Sequence, residues 1–109
     1  MLKRENRLTS VRLSNTKNIS TPFFSLKIAK NDQSLNRFAF IVSKKIDKRA
    51  TLRNLLKRKL RSCIEEIFDN MEKGYDFIFY PKSLLIKAKR EEALKELKKI
   101  LIKEKIIND

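Results

Sequence analysis

"KRATLRNLLKRKLRS", residues 48 to 62, carries seven Lys and Arg in fifteen positions yet sets leucine at 52, 55, 56 and 60. A charge run that only faced water would have no use for leucines at that spacing. Followed through Cys63, Ile64, Ile67, Phe68 and Met71, the apolar positions recur at three and four residues, which predicts an amphipathic helix from about Arg49 to Met71. Asp47 stands where a helix cap is expected. Such a helix lays one stripe on a core and turns a basic face outward.

The segments on either side give that helix something to pack on. "PFFSLKIAK" (22 to 30) and "NRFAFIVSK" (36 to 44) alternate apolar and polar residues, and "NDQSL" between them supplies turn chemistry, so a β-hairpin is predicted. After the helix, "KGY" turns the chain into "DFIFY" (76 to 80), a strand apolar enough to lie at the centre of a sheet, which Pro81 ends. Ala93, Leu94, Leu97, Ile100 and Leu101 give a second helix whose exposed face mixes Lys with Glu. Residues 1 to 20 read as a basic, polar segment with room for a short helix within 3 to 13. The order strand, strand, helix, strand, helix predicts an α+β fold, helices on a small sheet, in one domain spanning 1 to 109.

Charge points to the partner. The chain has 27 Lys and Arg against 13 Asp and Glu, a net +14 with pI near 10.2, which calls for a polyanion. The excess is concentrated: residues 37 to 61 hold ten basic side chains and one acid, Asp47, whereas 62 to 80 hold five acids and one base. No window reaches the roughly 20 apolar residues of a membrane span. A surface-lying membrane helix would leave its leucines free, whereas these are committed to a core. Nucleic acid is therefore preferred over membrane. DNA reading by a helix-turn-helix is disfavoured because a strand, not a helix, precedes the basic helix. One cysteine, Cys63, cannot form an internal disulfide, and "MLKRENRLTS" lacks the apolar run of a signal peptide, so a reducing, cytoplasmic setting is expected.

On the long helix Asn54, Arg58 and Arg61 are spaced i, i+4, i+7 and share a face, with Arg53 and Lys57 in a second row on its flank. Guanidinium forks bridge phosphate oxygens, Lys adds a mobile charge, and Asn both donates and accepts toward a base edge or a 2′-hydroxyl. From Lys48 to Arg61 there is no acid, unlike an ordinary solvated face. Catalysis by the chain itself is not expected. It has no histidine, and its carboxylates fall at surface spacing, with Glu65 and Asp69 or Glu92 and Glu96 reading as members of Lys-balanced faces rather than metal ligands. Cys63 lies on the apolar arc, where a thiol is inert.

The stretch "FIVSKKIDKRATLRNLLKRKLRS" (40 to 62) resembles the signature region of the protein subunit of bacterial ribonuclease P: a strand ending V-S-K-K, a basic loop, then R-N-x-x-K-R-x-x-R. Arg53, Asn54, Lys57, Arg58 and Arg61 fall on that pattern in register. "ENRL" (5 to 8), "TPFFSLKI" (21 to 28), "GYDFIF" (74 to 79) and "EEALKELKKIL" (91 to 101) extend the likeness over most of the chain from Thr21 onward. The resemblance implies a small, mainly antiparallel sheet with helices packed on it and a left-handed βαβ crossover, against the usual handedness. It implies an RNA-binding subunit of the ribonucleoprotein endonuclease that removes the 5′ leader of precursor tRNA, the hydrolysis being done by a catalytic RNA with bound Mg²⁺. The five motif residues would dock on that RNA, with Lys44, Lys45, Lys48 and Arg49 extending the surface. A cleft between the first helix and the sheet would hold the single-stranded leader by stacking on aromatics. Phe23, Phe24, Phe38 and Phe40 are the nearby candidates, although alternation along a strand sends about half of such residues into a core. The chain departs from the family at this cleft, since "RLTSVRLSNTKNIS" (7 to 20) has neither the aromatics nor the glycine of the usual first helix and is shorter. Charge alone fits a structural RNA-binding protein, such as a ribosomal component, equally well; the motif register distinguishes the two.

Overall fold

Phe77, Ile78 and Phe79 are all fully buried, so the strand that carries them needs cover on both faces and partners on both edges. The computed structural model, which describes residues 2 to 9 and 13 to 108, gives it both. Strands β1 (Lys17–Ser20), β2 (Phe24–Lys30), β3 (Arg37–Phe40) and β4 (Tyr75–Pro81) form one sheet in the order β1-β2-β4-β3. Helix α1 (Ala50–Ile67) connects β3 to β4, and α2 (Arg90–Lys103) follows β4. β4 runs antiparallel to β2, with Leu26 opposite Phe79, and parallel to β3, with Phe38 opposite Phe77. The α+β class and the central position of the "DFIFY" strand are as the sequence predicts.

The predicted hairpin is not formed. β2 and β3 are neighbours in sequence but not in the sheet, because β4 lies between them. An apolar strand gains most where two edges are paired, and the loop 31 to 36 is long enough to step over one strand spacing on either side of it. That loop is pinned to the strand it crosses: the Asn31 amide donates to the Gly74 carbonyl (2.9 Å), and the Asn31 side chain donates to Asp76 (2.9 Å). Gly74, at φ +99°, occurs where a Cβ would come within 3.1 Å of the Gln33 carbonyl oxygen, so glycine is required under the crossing. β1 went unpredicted because only Ile19 in "KNIS" carries an apolar signal; it is an edge strand with three of its four residues exposed. β3 is shorter than predicted, ending at Phe40, after which the Ile41 amide makes one last bond to Phe79.

α1 buries Leu56, Leu60, Cys63, Ile64 and Ile67 against the sheet and then tightens into a 3-10 turn, Phe68–Asn70. Five buried positions of α2, Ala93, Leu94, Leu97, Ile100 and Leu101, match the predicted stripe. Arg90 fastens the two helices, donating Nε to Ser62 Oγ (2.8 Å) and Nη2 to Glu66 (2.7 Å). Of the short helix predicted within 3 to 13, a 3-10 turn at Arg4–Asn6 is present, while residues 10 to 12 lie outside the described residues. That turn is tied down by buried amides: Asn6 donates to the Asn36 carbonyl (2.8 Å), and Asn36 donates to the Glu72 carbonyl (2.8 Å).

Candidate nucleic-acid interface

The apolar stripe of α1 fixes where its basic residues go. With Leu56 and Leu60 fully buried, Asn54, Arg58 and Arg61 emerge on the exposed side of the helix. Among the described residues none of Lys44, Lys45, Lys48, Asn54, Lys57, Arg58 and Arg61 pairs with a carboxylate. The first turn of α1 contains no acid, so its free amides and dipole add to the cationic field. A phosphate-bearing strand laid here meets donors that no internal partner has claimed.

Two of the nine predicted contacts have side chains hydrogen-bonded within the chain. Arg53 folds back and donates from Nη1 to the carbonyls of Asp47 (3.0 Å) and Lys48 (2.8 Å), fixing the loop that enters the helix. Arg49 grips Asp47 with its guanidinium (3.1 and 3.0 Å) and its amide (2.8 Å). The Arg49 guanidinium, and after it the Arg49 amide, holds the Asp47 carboxyl below the usual carboxylate range. Asp47 is therefore not the helix cap that the sequence predicted: Arg49 takes the cap position, without a side-chain bond, and Asp47 stabilises the turn before it. Lys59, not singled out in the sequence, reaches the other way. Its ammonium donates to the carbonyls of Leu85 (2.9 Å) and Ala88 (2.8 Å) around the 3-10 turn Ser83–Ile86, so it acts inside the fold. Nothing in the basic run marked it as different from Lys57.

Of the four phenylalanines considered for a leader cleft, Phe24 and Phe38 are corrected to core residues, at 0% and 3% exposure, because their side of each strand faces the helices. Phe23 and Phe40 are half-buried. Phe40 stacks on Phe79 (5.4 Å between ring centres, 12° between planes) and receives the Arg61 guanidinium 5.4 Å from its centre. Phe40, Lys57 and Arg61 line a groove of about 710 Å³ whose other wall is the N-terminal segment with Lys3, Arg4 and Arg7. The last three were missed, since without the fold nothing places them opposite α1.

Cys63 is fully buried, and burial pushes its thiol up to about 11, so it stays protonated and unreactive. Among the described residues no three His, Cys, Asp or Glu side chains converge on a common point. No helix among them is long and apolar enough to cross a membrane.

The fold and site define a small α+β domain whose longer helix turns a strongly cationic face away from the sheet, with Glu65 the acid beside Lys57 and Arg61 in the groove. The sequence profile of the Ribonuclease P family matches residues 1–105, and the chain belongs to that family. The "Ribonuclease P protein component" of Microcystis aeruginosa is 37% identical over 73 residues, 67% of this chain and 61% of that one. The protein of the same name from Bacillus cereus is 32% identical over 101 residues, 93% of this chain and 84% of its own. The chain thus spans less than two thirds of the length of the Microcystis relative, 61%, and 84% of the Bacillus one. In fold it is similar to the RNase P protein from Thermotoga maritima (TM-score 0.71, 24% identity, 80% of this chain and 82% of that one). The same holds for the RNase P protein from Staphylococcus aureus (TM-score 0.72, 19% identity, 100% and 97%).

Proposed function

We propose that this protein is the RNA-binding subunit of a ribonuclease P that removes the 5′ leader from precursor tRNA, and that it docks on the catalytic RNA through the exposed face of α1. The observation that carries the reading is the set Asn54, Lys57, Arg58 and Arg61, in the family register and in no ion pair among the described residues, on a helix whose opposite stripe is buried. Each cation that meets a phosphate releases a counterion and lowers the repulsion between two RNAs brought together. Arg53 and the Asp47–Arg49 pair hold the entering loop, so Lys44, Lys45 and Lys48 are presented from an ordered turn. The groove between Phe40, Arg61 and the N-terminal segment is the place for a single strand, held by cations and one aromatic pair rather than by a stack of rings.

Among the described residues no cluster of side chains fits a resident metal cage, and a chain without histidine offers no imidazole to move a proton. The hydrolysis would be supplied by the RNA subunit with its Mg²⁺. The contribution of the protein is charge neutralisation and positioning. Its working place is the cytoplasm, where precursor tRNA is made. The test is reconstitution with a bacterial ribonuclease P RNA. Protein plus RNA should release the leader at lower Mg²⁺ than RNA alone, and RNA-free protein should release none. Equal Mg²⁺ requirements, or cleavage by the protein alone, would overturn the reading.

A further inference from the structure

The segment that walls the Phe40 groove is held in place against its own charge. Lys3, Arg4 and Arg7 on one side and Lys57 and Arg61 on the other give the groove five cations, with Glu65 the one acid in its lining. Among the described residues none of these six side chains is in an ion pair, and no ion pair involves residues 2 to 9. Like charges facing across a groove push its walls apart, over about 10 Å at about 0.1 M salt. The contacts that oppose this push run through two buried amides, Asn6 and Asn36. Asn6 accepts the Lys3 amide on Oδ1 (3.1 Å) and donates from Nδ2 to the Asn36 carbonyl (2.8 Å), so one side chain shapes the 3-10 turn and fastens it beside β3. Asn36 accepts the Tyr75 amide on Oδ1 (3.0 Å) and donates from Nδ2 to the Glu72 carbonyl (2.8 Å), anchoring the turn to the chain that enters β4. The Leu8 amide, bonded to the Phe38 carbonyl (2.8 Å), and the buried Leu8 side chain add to the attachment. None of these groups carries a charge, so salt does not loosen them directly.

We propose that Asn6 and Asn36 are positioning residues, a neutral clamp that holds Lys3, Arg4 and Arg7 opposite α1 against their repulsion from Lys57 and Arg61. The groove then stands open for a single-stranded polyanion before one arrives. The inference rests on the reading of the groove as the place of the strand, and adds what sets its width. A strand entering it gains the attraction of both walls without first having to bring them together, which is the advantage of a binding site fixed in advance. Asn6 and Asn36 act through the cations they place and are buried away from the strand themselves.

The experiment uses the full chain and its Asn6→Ala variant, which opens the clamp from the N-terminal side and leaves the Asn36 side-chain bonds to Glu72 and Tyr75 in place. Hydrogen exchange of the Leu8 amide reads the attachment at about 0.01 M salt, where charges act over about 30 Å, and at about 1 M, where they act over about 3 Å. Dividing the variant rate by the parent rate cancels the effect of salt on exchange itself. The ratio should be about tenfold or more at low salt and fall several-fold at high salt, while amides around Leu60 keep parental protection. Adding Arg4→Ala and Arg7→Ala to Asn6→Ala should remove the salt dependence. In a holoenzyme made with a bacterial ribonuclease P RNA, Asn6→Ala should weaken binding of leader-bearing precursor tRNA and leave that of mature tRNA unchanged. A ratio near one, or one raised equally at both salts, would overturn the clamp and leave the groove reading intact. Equal loss of protection around Leu60 would make Asn6 a support of the whole fold and overturn the local clamp. A salt-dependent ratio with unchanged leader binding would overturn the positioning role together with the groove as the strand's place, and leave docking through α1 untouched.

Discussion

Replacing Leu60 by Ala separates the two faces of α1 by their energetics. Leu60 is fully exposed to the core and not at all to water, on the stripe it shares with Leu56, Cys63 and Ile67. Truncation removes three carbons, about 2.4 kcal/mol of transfer free energy at about 0.8 per methylene. The site is walled by helix and sheet and cannot collapse, so the cavity raises the cost to about 3 to 5 kcal/mol. Total stability of such a domain is about 5 to 15 kcal/mol. Each kcal/mol moves the melting temperature of a domain of about this size by about 4 °C or more, so a drop of at least about 12 °C is expected. Arg58→Ala, on the opposite face and without an internal carboxylate partner, should change stability by no more than about 0.5 kcal/mol. Thermal melts followed by far-ultraviolet circular dichroism read both. RNA binding by Leu60→Ala should fail because the domain unfolds, and by Arg58→Ala while the domain stays folded. A Leu60→Ala protein that melts with the parent would refute the packing of α1 and, with it, the assignment of its basic face.

Three other outcomes follow from particular contacts. Asp76→Ala removes the acceptor of Arg37 Nε (2.8 Å) and Nη2 (2.7 Å), where the edge strand β3 starts beside β4, and of the Asn31 side chain (2.9 Å). The loss should be about 3 kcal/mol in urea unfolding, the low end for an orphaned partner because Arg37 keeps 29% of its surface, and no loss would contradict a structural role for the pair. Cys63, its thiol pushed up to about 11, should alkylate far more slowly in the folded protein at pH 8 than in denaturant, and equal rates would place it at the surface. Its folded value lies above the usual thiol range, so the linked stability is full below that range and is lost as pH rises through about 11. Arg53→Ala should speed hydrogen exchange of the amides from Lys44 to Arg49 without exposing those around Leu60, whereas unchanged loop exchange would show that Arg53 does not hold that turn.

How far the sequence could be read depends on which residues carry a local signal. The two helices were legible because a buried stripe must recur at helical spacing, and Leu56, Leu60, Cys63 and Ile67 do so without interruption. β4 was legible as a central strand because Phe77, Ile78 and Phe79 leave no polar face. Its insertion between β2 and β3 was not, since "NDQSL" offers the same turn residues to a hairpin and to a loop that crosses a strand. β1 was hidden by the polar side chains that suit an edge. The basic face was legible from the absence of acid between Lys48 and Arg61. What each cation does was not: Arg53 and Lys59 are the same in type as Arg58 and Lys57, and only the carbonyls brought near them by the fold turn them inward. The groove wall of Lys3, Arg4 and Arg7 lies at least thirty residues away along the chain from Phe40 and was beyond local reading.

The central claim is that the exposed face of α1 meets RNA phosphates. Its most direct test is the salt dependence of binding to a bacterial ribonuclease P RNA, parent against the Arg58→Ala, Arg61→Ala double variant. Each lost phosphate contact should reduce the slope of log affinity against log salt by about 0.7 to 0.9, so the pair should flatten it by about 1.4 to 1.8 with the melting temperature nearly unchanged. A variant as folded as the parent that keeps the parent's slope would contradict the claim and put the RNA on another face.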